Sequence, residues 1–171
     1  CLEWNVLSVI GQDVAPETGL FIGQHYALAG YGPLLMLLVT SKDIRTALEL
    51  GVQYQALTHL TGGLSLKYTA HKVALCYEPQ DLNSDLGLLR AQCEISGTYK
   101  FIQDLYKMMG LDIPQIHIEL PFVQSENRQF LDIYHDYYGS ELQFGSKSAE
   151  FWFDAAVLNV HIPSADKMTF I

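Results

Sequence analysis

Cysteines and basic residues are both scarce in this sequence. The cysteines argue against a zinc site, and the few basic residues argue against DNA binding by this chain. Only three cysteines occur among 171 residues, Cys1, Cys76 and Cys93, and they lack the close pairing of a zinc site. We therefore expect reduced, buried thiols. The sequence has ten basic and nineteen acidic residues, so its formal charge is −9, and it contains no Lys/Arg cluster. Because DNA binding by phosphate neutralisation needs a basic surface, this chain alone is not expected to bind nucleic acid.

Segments that would cross a membrane or direct secretion are also missing. The longest apolar run, residues 26–40, is interrupted by Gly30, Gly32 and Pro33. A bilayer span requires roughly 20 apolar residues, which this run does not reach. The basic start and cleavage pattern of a signal peptide are absent as well. The sequence thus predicts a cytoplasmic protein that does not associate with membranes.

No catalytic, metal-binding or nucleotide-binding motif stands out. His117 and Glu119 share one face of a predicted strand, but no third ligand lies nearby in sequence. Cys76 and Cys93 have no neighbouring base that would activate a nucleophile. A glycine-rich phosphate loop is absent. These patterns favour structural roles, and we expect no catalytic residues, no cofactor and no metal site.

The composition indicates one folded domain with a surplus of apolar residues. Hydrophobic residues make up 49% of the chain and charged residues only 17%, which excludes disorder. The mean hydropathy of +0.11 is high for a small soluble domain. Such a chain hides apolar surface in an internal pocket, in an oligomer interface or against a neighbouring domain.

Periodicity and turn residues predict an alternation of helices and short strands. We expect helices at residues 2–10, 20–26, 34–39, 42–59, 85–109 and 126–138, and strands at 64–68, 73–77, 113–122, 142–144 and 150–153. The expected N-caps are Ser41, Ser84 and Ser125, and Gly110 ends the long helix. Two hairpins and a further strand predict an antiparallel sheet packed with helices in a single α+β domain. A cupin-like β jelly roll is the alternative.

The long predicted helix carries a stripe of small residues and a face rich in tyrosine. Cys93, Ser96 and Gly97 form the small stripe, which would let another element approach closely. Ligand pockets are commonly apolar and aromatic with a few placed polar groups, and tyrosine supplies both properties. Our candidate ligand-binding residues, in elements expected to pack around one centre, are Tyr54, Tyr68, Tyr77, Gln92, Tyr99 and Tyr106.

Two segments resemble the amino-terminal effector domain of AraC/XylS-type bacterial transcription regulators, in the branch labelled arabinose-binding. The first is YGPLLMLLVTS at residues 31–41, and the second is YYGSELQFG at residues 137–145, followed by EFWFD at residues 150–154. The similarity covers about residues 20–163. It implies that residues 1–171 are a sensor domain, cut before a carboxy-terminal pair of helix-turn-helix units that binds promoter DNA.

The resemblance also implies a mechanism and partners. A small effector would bind the sensor and shift its contacts with the DNA-binding half or with a second protomer in a homodimer. The order of elements is similar to haem-nitric-oxide-sensor and vesicle-tethering domains that hold a hydrophobic ligand, which implies a largely apolar effector. Two alternatives stay open: a dimerisation or protein-interaction module without ligand, and a small enzyme that uses Cys93 or His117.

Overall fold

Six α-helices and a five-stranded sheet form the part of the chain that the computed structural model describes, residues 17–25, 32–139 and 141–168. The helices are α1 (Thr18–Gly23), α2 (Gly32–Val39), α3 (Ile44–Gln53), α4 (Asp85–Met109), α5 (Arg128–Tyr138) and α6 (Pro163–Met168). Short 3₁₀ helices cover Gln55–Leu57 and Ala155–Asn159. The predicted helix at residues 2–10 and Cys1 lie outside the described residues.

The sheet is mixed, and its strand order is not the order of the chain. The strands are β1 (Gly63–Tyr68), β2 (Lys72–Glu78), β3 (His117–Leu120), β4 (Gln143–Phe144) and β5 (Ala149–Asp154). They lie in the order β1-β2-β5-β3-β4. The β1–β2, β2–β5 and β5–β3 pairs are antiparallel, whereas β3 and β4 run parallel. The predicted α+β single domain is confirmed, and the open sheet excludes a jelly roll.

The prediction of a second hairpin at residues 142–153 is wrong, and one strand pair of the predicted antiparallel sheet, β3 with β4, is parallel. Instead of pairing with β4, β5 enters the sheet between β2 and β3. Gly145, with φ +82°, turns the chain after β4, and its amide donates to the Phe122 carbonyl at 2.9 Å. That turn holds β4 beside the end of β3 and leaves β5 free to reach the middle of the sheet. The first hairpin, β1 with β2, is confirmed.

Helix α4 packs on one face of the sheet and contributes eight buried apolar residues, more than any other described element. Ser84 caps its start by accepting from the Gly87 amide at 3.0 Å, and Gly110 ends it with φ +80°, so both predicted ends are confirmed. Val73 and Tyr77 of β2 and Phe151 of β5 point to this side and are buried. The opposite face carries polar side chains, among them Lys67, Glu119 and Glu150.

Helix α1 lies directly on the small-residue stripe of α4. A Cβ built on Gly23 would stand 1.8 Å from Ser96 Oγ and 2.4 Å from the Cys93 carbonyl oxygen. One built on Gly19 would stand 2.5 Å from the Leu89 carbonyl oxygen. The predicted close approach is therefore real, and it requires small residues on both helices.

Two predicted N-caps are wrong, and several predicted elements are shorter than expected. Asp43, not Ser41, caps α3, because its backbone is extended and its carboxylate accepts from the Thr46 amide at 2.8 Å. Asn127, not Ser125, caps α5. Helix α3 ends ahead of the predicted 59, α1 covers six residues, and β3 covers only four. None of the helices in these described ranges is long and apolar enough to cross a bilayer.

Candidate functional site

An apolar cavity of about 100 Å³ lies between α2, α3, α4 and the β1–β2 hairpin, and it is partly open to solvent. One water requires roughly 10–15 Å³ by the same measure, so the cavity is several times larger than an ordinary packing void. Its inner wall consists of buried residues of α2 and α3, namely Leu34, Leu38, Ile44 and Ala47. The space therefore reaches into the core while remaining partly open to solvent.

The helical spacing of apolar residues in α4 builds the opposite wall. Ile102, Leu105, Tyr106 and Met109 recur at the i, i+3, i+4 and i+7 positions of one helix face, and all four line the cavity. The sheet adds Leu64, Leu75 and Phe153, and the segment before β1 adds Thr58 and Leu60. Contributions from sequence-distant elements explain why no local motif marks this site.

Polar side chains around the cavity are few, and one of them has no partner. The Thr58 hydroxyl donates to the Gln55 carbonyl at 2.6 Å, and that of Thr98 donates to the Glu94 carbonyl at 2.7 Å. The Tyr106 hydroxyl is buried and has no hydrogen-bond partner among the described residues. Burial raises the pKa of Tyr106 to about 12, so its hydroxyl is a neutral donor at neutral pH.

A buried polar cluster lies next to the cavity and is centred on the Glu94 carboxylate. Arg90 Nε donates to Glu94 Oε1 at 2.8 Å, and the Thr61 amide donates to the same oxygen at 3.0 Å. The Tyr77 hydroxyl donates to Glu94 Oε2 and accepts from the Gly62 amide. Burial, and secondarily the Glu94 charge, raises the pKa of Tyr77. These bonds satisfy the carboxylate on several sides, as burial of a charge requires.

The Glu94 cluster forms hydrogen bonds with a segment, residues 60–64, that also contributes to the cavity wall. Thr61 and Gly62 bind the cluster, while Leu60 and Leu64 on either side of them line the cavity. One short segment, residues 60–64, therefore contacts both the cavity and the Glu94 cluster. The arrangement links cavity volume to a defined set of buried polar contacts.

The comparison with known families decides what kind of domain this is. Residues 12–162 match the model of the arabinose-binding domain of AraC transcription regulators, an amino-terminal domain. The chain belongs to this family. It is a regulatory sensing domain by family, and the resemblance inferred from residues 31–41 and 137–145 is confirmed.

A solved structure of a regulator has the same fold. The chain is similar to the transcriptional regulator CdpR from Pseudomonas aeruginosa, with a TM-score of 0.75 and 19% sequence identity. The match covers 95% of this chain but 51% of CdpR, so the chain spans about half the length of that regulator. A search of curated protein sequences found no match.

The six candidate residues of this AraC-family domain do not surround one centre. Tyr106 lines the cavity, and Tyr77 belongs to the Glu94 cluster. Tyr54 and Tyr68 stand at the ends of α3 and β1, where 42% and 51% of their surface is exposed.

Gln92 and Tyr99 belong to a third environment, between α4 and α5. Gln92 Nε2 donates to the Tyr134 hydroxyl at 2.6 Å. The Tyr99 ring stacks on Phe151 at 6.1 Å and meets Tyr137 edge-on at 5.3 Å. Ligand binding by any of the six stays a prediction.

Helix geometry explains why the three candidate residues on α4 lie in different surroundings. Gln92, Tyr99 and Tyr106 share a face of α4 because they are seven residues apart. At about 1.5 Å per residue, each step of seven moves roughly 10 Å along the helix axis. Three residues on one face therefore reach three different neighbours. The missed lining residues, such as Leu34 and Leu38, belong to an apolar run whose composition alone does not distinguish packed core from cavity wall.

His117, Glu119 and Cys76, also noted in the sequence, lie on the polar face of the sheet. His117 Nε2 stands 3.8 Å from Glu119 Oε1, and Lys67 forms an ion pair with Glu150. Burial raises the pKa of the nearby Cys76 thiol to about 11, which keeps it protonated at neutral pH. Among the residues described, no group of three metal-ligating side chains comes together.

Proposed function

We propose that this chain is the effector-sensing domain of an AraC-type transcription regulator and that a small, largely apolar molecule binds in the cavity between α2, α3 and α4. The observation that carries the proposal is the cavity itself, about 100 Å³ of apolar space inside an otherwise packed core. As far as the structure describes the chain, the apolar walls offer no array of hydrogen-bonding groups of the kind that a sugar requires.

A physical link between the cavity wall and the Glu94 cluster supports the proposal. A ligand that pushes on Leu60 and Leu64 acts on Thr61 and its hydrogen bond to Glu94. Binding can switch the protein only if the ligand has different affinities for the two positions of this wall. We propose that a carboxy-terminal helix-turn-helix domain in the longer regulator responds to that difference and changes its binding to DNA.

Exposed apolar side chains favour a second candidate function, dimerisation. Met36 on α2 and Phe21 on α1 expose 47% and 44% of their surface, and Leu57 is exposed as well. Such residues gain stability when a partner covers them. A homodimer formed through them would serve as an interaction module without a ligand.

A thermal-shift screen with a cavity-filling variant tests the proposal. Ala47 lines the cavity and is buried, so Ala47→Leu would occupy the space a ligand needs. Ala156→Leu is the matched control, because Ala156 is exposed and does not line the cavity. Fatty acids, aromatic acids, amino acids and sugars are titrated against the wild type and both variants. We expect a dose-dependent rise in Tm from one apolar class, retained in Ala156→Leu and lost in Ala47→Leu.

Two results would contradict the proposal. A compound that stabilises Ala47→Leu as much as the wild type binds elsewhere on the domain. Absence of any stabilising class, combined with a stable dimer in sedimentation experiments, would favour the interaction module.

A further inference from the structure

A segment near the carboxyl end of the described chain is bonded to the corner between α2 and α3, residues 39–44. The Ile44 amide donates to the Val160 carbonyl at 3.1 Å. The Ile162 amide donates to the Lys42 carbonyl, also at 3.1 Å. These two bonds form a short antiparallel bridge between parts of the chain that are distant in sequence.

The bridging segment, residues 160–164, is also held by a side-chain bond and by packing. The Ser164 hydroxyl donates to the Val39 carbonyl at 2.6 Å. Ile162 is fully buried and belongs to the main hydrophobic core, and the helix that begins at the end of this segment, α6, packs on α4. Three hydrogen bonds to the corner and apolar packing beneath it therefore fix the position of the bridging segment.

The same corner contributes to the inner wall of the cavity. Leu38, Ile44 and Ala47 line the cavity, and Leu38 is followed directly by Val39, the acceptor for Ser164. Ile44 takes part on both sides, because it lines the cavity while its amide bonds to the bridging segment. The α2–α3 corner thus connects the cavity to the bridging segment through single residues.

The two walls of the cavity differ in how firmly they are held. Helix α2 is short and carries only apolar side chains, with the sequence GPLLMLLV, whereas α4 on the opposite side has 25 residues and is capped at both ends. Apolar packing is non-directional and tolerates small shifts, but a hydrogen bond requires a defined distance and angle. We therefore expect a ligand larger than the present space to displace the α2–α3 corner and to strain its bonds to the bridging segment.

The bridging segment lies where this domain gives way to the rest of a regulator. The family's domain is amino-terminal in its regulators, and the match to it ends at residue 162. In the proposed regulator, the DNA-binding half follows α6 and hence follows the bridging segment closely in the chain. Residues 60–64, at another part of the cavity wall, lead into β1 and the interior of the sheet instead.

We propose that the bridging segment couples the cavity to the DNA-binding half: a ligand that displaces the α2–α3 corner weakens its bonds to residues 160–164 and loosens the segment that leads to the next domain. This inference rests on the proposed effector function and adds the route of coupling, with Ser164 as a positioning residue. Because coupling between two sites is reciprocal, a change that weakens the bridge should strengthen ligand binding.

Benzene is the probe for this coupling. It binds an engineered apolar cavity of roughly 150 Å³, so in a cavity of about 100 Å³ we expect it to push the wall outwards. Ser164→Ala removes one bond of the bridge, and Ser164 does not line the cavity. Ser146→Ala is the matched control, because that half-buried hydroxyl donates to the Ser148 carbonyl in the turn between β4 and β5.

Benzene affinity is measured by NMR titration of the wild type and both variants. We expect Ser164→Ala to bind benzene roughly 3- to 10-fold more tightly than the wild type, the range of one net hydrogen bond that no longer opposes displacement of the wall. Ser146→Ala should bind within about twofold of the wild type.

A second readout uses the wild type alone and does not depend on a variant. The amide of Ile162, which donates to Lys42, should exchange its hydrogen with solvent faster at saturating benzene than without it. The Ser146 amide, which donates to the Leu120 carbonyl at 3.1 Å, serves as the reference and should not exchange faster.

The outcomes separate this inference from the proposed function. If benzene binds the wild type and not Ala47→Leu, but Ser164→Ala binds no more tightly and Ile162 exchanges no faster, the inference is overturned while the effector cavity stands. If benzene does not bind the wild type, the cavity does not accept an apolar ligand, and the proposed function fails together with this inference.

Discussion

The hydroxyl of Tyr77 on β2 donates a hydrogen bond to the carboxylate of Glu94 on α4, with both side chains buried in the core. The same carboxylate accepts from Arg90 and from Thr61. One charged group thus joins the central helix, the sheet and the segment that leads into β1. Because that segment also lines the cavity, Glu94 stabilises the cavity wall as well as the fold.

Glu94→Gln should destabilise the domain strongly. The amide of glutamine brings two donors to a place where four groups donate, and the substitution removes the buried carboxylate charge that pairs with Arg90. We expect a loss of about 3 kcal/mol in the free energy of unfolding. That corresponds to a fall in Tm on the order of 10 °C for a domain of this size, measurable by circular dichroism.

A second ion pair on the same helix provides the control for Glu94→Gln. Lys100 and Asp104 have the same i,i+4 spacing and the same 2.8 Å separation as Arg90 and Glu94. Their side chains are 37% and 29% exposed, against 7% and 3% for the buried pair. Asp104→Asn should therefore cost only about 0.3–0.5 kcal/mol. Equal losses in the two variants would show that burial does not govern the strength of the Glu94 contacts.

Gly23→Ala should weaken the packing of α1 on α4. The added methyl group would overlap Ser96 Oγ and the main-chain oxygen of Cys93, and main chain cannot rotate away. Overpacking of this kind costs about 1–3 kcal/mol, which urea unfolding can measure. Gly63→Ala is the control, since a Cβ there meets no atom within 4 Å. A Gly23→Ala protein as stable as the Gly63→Ala protein would contradict the observed closeness of the two helices.

Tyr134→Phe and Tyr138→Phe should differ although the residues lie one turn apart on α5 and are both buried. Removing the Tyr134 hydroxyl leaves Gln92 Nε2 without its acceptor, at a cost of about 1–3 kcal/mol. The Tyr138 hydroxyl has no partner among the described residues, so its removal should be neutral or slightly stabilising. Chemical denaturation of the two variants side by side measures the difference, and the reverse ranking would reject this hydrogen-bond assignment.

The sequence correctly predicted those elements whose ends depend on interactions between residues close in the chain. The α4 helix carries its own cap residue, its own terminating glycine and a continuous apolar face, so both ends and its packing stripe follow from sequence. The caps of α3 and α5 did not follow, because several capping residues lie close together there. Asp43 is the cap because the chain leaves α2 in a direction that makes its backbone extended, while the Ser41 hydroxyl bonds back to Leu37 at 2.9 Å.

The candidate site was less predictable than the fold. Of the six candidate residues, Tyr106 alone lines the cavity, since its neighbours on the same helix face lie one or two seven-residue steps away. The Glu94 cluster was not predicted either, because Thr61, Gly62 and Tyr77 reach the Arg90–Glu94 pair of α4 only when β2 and α4 pack.

The sequence by itself determined the α+β class, the first hairpin, the long capped helix and the family, because these depend on periodicity, turn residues and motif order. Only the tertiary structure decided that β5 lies in the middle of the sheet, that β3 and β4 run parallel, and that apolar residues of α2, α3 and α4 leave a cavity. Hydrophobic burial is non-directional, so a pattern of apolar residues states what is buried but not which neighbour covers it. Whether a core is filled or hollow depends on the shapes that meet there, and those shapes exist only in the folded chain.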